Sequence, residues 1–382
     1  MFQRLLLAVL LCLLLIVVDL CQRPAALPAA RAADLHSADG HKPGRLTLNA
    51  QGHIPMPPGV PAAHACNLLA MPQGHPWSVV AFWFAGSKEA APDVQIAAAY
   101  FDRARGQWSA AHLVLERLNL AQQLGFGVTR LGNPVAWLDG QGRVHLFVVA
   151  TGLGGWAASR IVHLRQTAAT HDLDALQFKL QSVLPLSWLW NYSHLVRAAP
   201  LPLQDGGMVL PAYFELGSMV SMALRFDAEG RFRGMTRMSG QTHLLQPQLL
   251  PLSDTHWLAL MRNGSPTRKV GVTQTLDGGA HWQDLPELAL DNPDASIAAL
   301  KLSPNHMVLA HNATTQSRSI LDLSESTDGV HWSLVQHLAH STQAQEFSYP
   351  SMVWADNMLW VSYTDQRKSI AWQRFAVSHS QR

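Results

Sequence analysis

Cysteine is almost absent from this 382-residue chain: three residues, two of which, Cys12 and Cys21, fall in the first 22 positions. Beyond that opening only Cys66 remains, so an exported form has no internal disulfide and its stability must come from packing. Charge is scarce as well, at 14% of residues against 48% hydrophobic. That balance excludes a disordered chain, and the absence of a basic stripe excludes nucleic acid as the expected partner. Histidine is plentiful, yet H-E-x-x-H and paired-cysteine ligand spacings are missing, so neither a catalytic metal nor a cofactor is expected. There is no G-x-S-x-G elbow, no P-loop and no long amphipathic helical period.

Charge is sparse at the start too, where Arg4 precedes an unbroken apolar run from Leu5 to Val18. Pro24 and Pro28 follow, then Ala30-Arg31-Ala32. This order of charged, apolar and small-residue regions is that of a secretory signal over residues 1–32. The alternative is an uncleaved N-terminal anchor, although fourteen apolar residues are short beside the ~20 that span a bilayer. The expected product is exported, periplasmic or secreted, with any membrane attachment confined to this segment. Without residues 1–32 the chain carries 25 basic and 25 acidic residues and is close to neutral.

Residues 33–382 contain a diverged repeat. Apolar strand, polar turn and apolar strand recur from Cys66, Asn133, Ala198, Gln246, Ser296 and Tyr349, at separations of 67, 65, 48, 50 and 53 residues. After several of these hairpins comes a turn signature. It is strongest in "TQTLDGGAHW" (Asp277, Trp282), good in "SESTDGVHW" (Asp328, Trp332), and weak in "FDRARGQW" and "RFDAEGRF". The aspartate accepts bonds from turn amides, glycine supplies positive φ, and tryptophan packs beneath. Six such units of about four strands each predict an all-β six-bladed β-propeller.

In that architecture the open ends of the inner hairpins face a common axis. The strand starts bring His64, Asn133, Arg197, Gln246, Asp294 and Tyr349; the strand ends bring Glu89, Asp93, Glu215, Arg262, Arg318 and Arg367. Trp83, Trp156, Trp188 and Trp190 are read as an aromatic rim. Cations, carboxylates and aromatic rings around one space suit a polar anionic ligand such as an acidic sugar.

With these residues in view, the chain resembles the sialidase superfamily, in its divergent BNR-repeat or Asp-box branch. The resemblance covers roughly residues 60 to 375 and rests on the two Asp-boxes and on "FAGSKEAAPDVQI", "LGNPVAW", "MVLPAYFE", "LLQPQLL", "LMRNGSPTRKVGV", "NPDASIAAL" and "EFSYPSMV". It implies retaining glycoside hydrolysis with a tyrosine nucleophile. By motif position Tyr349 is the implied nucleophile, Asp93 the acid/base, and Arg262 and Arg318 two of three carboxylate-binding arginines. The family's first arginine falls at His64, its supporting carboxylate near Thr364, and its tyrosine-activating glutamate near Gln246; Glu215 stands as a substitute. The Asp-boxes are structural in such families, and Asp277 and Asp328 take no catalytic role.

The expected activity is therefore that of an exported exo-glycosidase acting on a terminal, sialic-acid-like sugar. The substrate-binding set is Arg262, Arg318, His64, Gln246, Asn133, Arg197 and Arg367, with Tyr349, Asp93 and Glu215 as the catalytic groups. A non-catalytic glycan-binding propeller and a lyase acting on uronate-containing glycans are the alternatives.

Overall fold

A computed structural model describes residues 2–22, 27–33 and 44–378. After a helix over Phe2–Gln22, the described chain forms six antiparallel sheets of four or five strands. They are the blades of a six-bladed β-propeller. The innermost strand of each blade begins one of the six hairpins of the sequence repeat. These inner strands lie in Ala62–Ala70, Arg130–Leu138, His194–Val196 with Leu201–Pro202, Leu244–Pro251, Ala298–Ser303 and Phe347–Ala355.

The second strands explain why the sequence shows continuous apolar runs rather than alternation. Trp77–Gly86 and Val144–Thr151 are buried at every position, because each blade is covered on both faces by its neighbours. The apolar side chains separate into six clusters, one at each blade interface. Outer strands such as Ser333–His340 meet solvent and are mostly polar or half-buried.

Arg45–His53 closes the ring by pairing antiparallel with Ser369–Ser378, the last described strand. The blade that carries Tyr349 is thus assembled from both ends of the described propeller.

At the start of each inner strand the backbone does something residues other than glycine rarely do. Ala65, Asn133, Ser193, Gln246, Asp294 and Tyr349 have φ of 54°, 41°, 59°, 52°, 59° and 54°. In four blades the register slips at this point, between His64 and Asn67, Gly132 and Val135, Leu245 and Gln248, and Ser348 and Ser351. These are β-bulges, which leave amides unpaired within their own ladder. A neighbouring blade supplies acceptors: Ala65 N donates to Thr364 Oγ1 (3.1 Å), Leu68 N to Ser351 Oγ (3.0 Å) and Ala136 N to Asn67 Oδ1 (2.9 Å). Left-handed backbone of this kind costs of order 1–3 kcal/mol per residue and clusters where function fixes a side chain.

The turn signatures behave as the sequence predicts. Asp277 accepts from Thr275 Oγ1, His281 N and His281 Nδ1, and Asp328 from Ser326 Oγ, Val330 N, His331 N and His331 Nδ1. In the weaker copies Asp102 and Asp227 accept from amides two to four residues on. Trp282 and Trp332 donate to the carbonyls of Gly279 and Gly329.

Among the described residues no helix is long and apolar enough to cross a membrane.

Candidate functional site

The hairpin mouths converge on Tyr349. Its ring is packed by His64, with centroids 4.2 Å apart, and by two guanidiniums, Arg197 at 5.0 Å and Arg318 at 5.8 Å. Its hydroxyl accepts a long bond from Gln246 Nε2 (3.4 Å), which also donates to Tyr213 Oη at 3.1 Å. Four other blades therefore meet the phenol of Tyr349, which is half-buried. Tyr349 is held there by the bulge, since its left-handed φ interrupts the strand between Ser348 and Ser351.

Three of the surrounding arginines carry a carboxylate. Arg262 Nε donates to Asp294 at 2.6 Å. Arg318 donates to Glu346 (2.9 Å) and to the Asp294 carbonyl (3.0 Å). Arg367 donates to Glu346 through Nε (2.8 Å) and to Glu89 through Nη1. Burial alone would push Glu346 up, but bonds from Arg367 and Ser348 and the charge of Arg318 pull its carboxyl down to about 2.

Arg197 is different. It is 3% exposed, donates one Nη to the Pro350 carbonyl (2.9 Å), and has no carboxylate partner among the described residues. Its Nε has no acceptor. Burial lowers its affinity for the proton, against which Tyr349, Cys66 and Tyr213 act in the other direction. Both ring nitrogens of His64 and the Oε1 of Gln246 are likewise buried without a partner. Desolvation, added to by the charge of Arg367, holds His64 well below 6.5, so the imidazole is neutral. Unpaired buried polar groups on this scale are uncommon in native proteins and call for an explanation.

Glu215 sits at the rim of the same pocket. One side reaches solvent, while the protein around the rest of it desolvates the carboxyl and raises its pKa, partly countered by Arg262 and reinforced by Asp294. Tyr213, two positions earlier on the same strand face, is fully enclosed. Burial drives its hydroxyl strongly up, with Tyr349 and Glu215 adding to the effect.

The remaining expectations divide. Asp93 lies on the loop that follows the second strand of its blade and accepts from Ser87 N (3.0 Å) and Ser87 Oγ (2.9 Å). Its hydrogen bonds stay within that loop, which also carries Glu89 over to Arg367. Asn133 occupies the bulge position of its blade and is 7% exposed. Repeat alignment puts His64 and Arg197 at strand starts, but the structural equivalents are Ala65 and Ser193. His64 precedes its left-handed residue by one position and Arg197 follows its own by four, and both side chains are buried. Trp83 is not part of the rim: it is wholly buried between the first and last blades. Trp156 does line the opening, a cleft of about 530 Å³ with Ala62, Lys88, Glu89, Ala90 and Arg367. Trp188 and Trp190 are exposed.

Tyr213 and the counterion role of Glu346 are additions that sequence reading does not supply. The alternation in "PAYFE" carries the signal for Tyr213, because a strand puts positions two apart on one face. A second cavity of about 330 Å³ lies at the opposite, hairpin-turn end of the axis, between Leu201, Leu249, Leu300 and Met352. Its walls are mostly apolar, with Gln204, Gln248, Asp254 and Lys301 among the polar residues that line it.

The fold and site define a propeller of the sialidase-like BNR superfamily. The model of the BNR repeat-like domain matches residues 78–361, and the chain belongs to that family. Among solved structures it is similar to a Hadza microbial sialidase, with TM-score 0.68 and 13% identity over 83% of this chain and 66% of that one. It is also similar to a Dyadobacter fermentans protein of unknown function, with TM-score 0.65 and 11% identity over 87% and 99% of the two chains. A third is Trypanosoma rangeli sialidase in complex with the inhibitor DANA, with TM-score 0.65 and 13% identity over 88% and 59%. The chain thus spans 66% of the length of one sialidase and 59% of the other. No curated protein matches it.

Proposed function

We propose that this protein binds the terminal acidic sugar of a glycan in the Tyr349 pocket and hydrolyses its glycosidic bond with retention. The observation that carries the reading is Arg197: a buried cation stacked on a phenol, without a carboxylate, beside orphaned atoms of His64 and Gln246. A buried charge is tolerated when something pairs with it. A ligand carboxylate over Tyr349, also met by Arg262 and Arg318, provides that partner.

In the proposed reaction Tyr349 Oη attacks the anomeric carbon as the bond to the leaving oxygen breaks. The phenol proton passes to Glu215, whose raised pKa makes it a stronger base than a solvated glutamate. Asp93, brought in by its loop, protonates the leaving oxygen. Water then attacks the glycosyl–tyrosine bond, giving a proton to Asp93, while Glu215 returns the first proton to Tyr349. Both carboxyl groups end as they began, and the anomeric configuration is kept.

A second reading, a glycan-binding propeller without turnover, is favoured by two features. Gln246 is a neutral amide where a base would serve, and Asp93 is engaged with Ser87. A fluorogenic glycoside of an acidic sugar separates the two. Turnover that disappears in Tyr349→Phe supports hydrolysis, whereas calorimetric binding that saturates without product supports the second reading. Absence of both binding and turnover across a panel of acidic glycosides sinks the first. A new absorbance band from an unsaturated product would instead mark a uronate lyase.

A further inference from the structure

Residues 27–33 are docked into the propeller. Between the third and fourth blades, Ala30 and Ala32 are 2% and 4% exposed and belong to the apolar cluster of that interface, with Leu203, Val209, Met238 and Trp257. Backbone bonds tie the segment to both blades. Ala30 N donates to Gly278 O (3.3 Å) and Ala32 N to Asp254 O (2.7 Å) on one side. Ala33 N donates to Pro202 O (2.9 Å) and Gln204 N to Arg31 O (2.9 Å) on the other. Arg31 is paired with Asp254 at 2.8 Å. The fit leaves no room for larger residues: a Cβ on Gly278 would lie 1.8 Å from the Ala30 carbonyl, and one on Gly234 would lie 3.0 Å from Leu27.

The alanines that read in sequence as a peptidase site are therefore small for a second reason, since a blade interface closes over them. A cut after Ala32 would remove a piece of the folded core, unpair the carbonyls of Asp254 and Gly278, and take the Arg31 carbonyl from the Gln204 amide. We propose that residues 27–33 are a permanent strap of the propeller and that the leader before them is retained, holding the protein on a lipid surface. The occupant follows from the helix itself. From Leu5 to Val17 its aliphatic side chains are exposed on every side of the axis. A helix apolar all round is solvated by lipid, because a protein groove covers only one face.

Orientation follows too. The strap lies against Asp254, Leu203 and the Gly278 turn, at the hairpin-turn end of the blades, opposite Tyr349. A lipid surface held there leaves the Tyr349 opening pointing outward.

The test uses the full chain expressed with its own leader in an exporting host. Intact mass of the exported protein should correspond to an N-terminus before Leu5, with the apolar helix still attached, and the protein should sediment with membranes until detergent releases it. The full-length double variant Ala30→Leu/Ala32→Leu should still sediment but should melt several degrees lower, because the strap no longer seats. A soluble product beginning at Ala33, or at any residue after Leu5, overturns the proposal. An unchanged melting point in the double variant overturns the strap.

Discussion

At the scale of single residues the pocket is defined by what is left unpaired. Arg262, Arg318 and Arg367 already hold carboxylates, whereas Arg197 does not. Arg197→Met should therefore raise the melting point, because replacing a buried charge with an apolar group of similar length is neutral or stabilising by about 1–4 kcal/mol. The same change should weaken binding of an acidic sugar about tenfold or more, the loss of one charge-assisted bond. Calorimetry and a thermal scan on one preparation check both signs together. Glu215→Gln should lower kcat by about 10²–10⁴-fold and leave affinity within a few-fold, as measured by steady-state kinetics. Sequence made Tyr349, Arg262 and Arg318 legible, because they stand at matching ends of repeated hairpins. It did not reveal Tyr213 or the sharing of Glu346 between Arg318 and Arg367, which depend on which face a strand turns inward and on how far a side chain reaches.

At the scale of elements, left-handed residues at matching positions of all six blades, four of them within β-bulges, set the directions of the inner-strand starts. The hairpins were readable from apolar runs and turn residues, but the bulges were not. Ala65, Ser193 and Asp294 are ordinary residues in a conformation that favours glycine, and nothing in their identity announces it. This is why repeat alignment missed by one position at His64 and by four at Arg197. The Asp-box turns make the contrasting case, since aspartate, glycine and tryptophan each fill a role their chemistry dictates. Asp277→Ala removes a carboxylate that accepts from Thr275 and His281. It should lower stability by about 1–3 kcal/mol, the cost of leaving such donors unmet, while turnover at the distant Tyr349 end stays unchanged. Denaturant titration beside a rate measurement tests this.

At the scale of the whole molecule, packing without disulfides leaves acid as the natural denaturant. Burial lowers His163 to about 3 and His194 to about 4, and lowers His64 as well. The unfolded chain protonates these rings near pH 6.5, whereas the folded one does not until the pH is far lower. Stability should therefore be complete above about pH 6.5 and fall as pH drops toward 4, by about 1.4 kcal/mol per pH unit for each such histidine. Glu346 acts in the same sense from pH 4.5 down to about 2, because the unfolded chain takes up the proton while the folded carboxyl stays ionised. Melting points from pH 7.5 to 4.5 should show the decline, and His194→Gln should flatten it. The six-bladed plan was legible at this scale because every blade repeats it. The docking of residues 27–33 was not, because the same small side chains satisfy a leader motif and a tight interface equally well.

The pairing of Arg45–His53 with Ser369–Ser378 gives synthesis a direction. The earliest propeller strand to leave the ribosome has no mate until the latest one emerges, and their union completes the sheet that presents Tyr349. Five blades have all their strands before the chain is finished, but the sheet around Tyr349 waits for the whole circle, so a prematurely terminated chain lacks the wall on which the pocket converges.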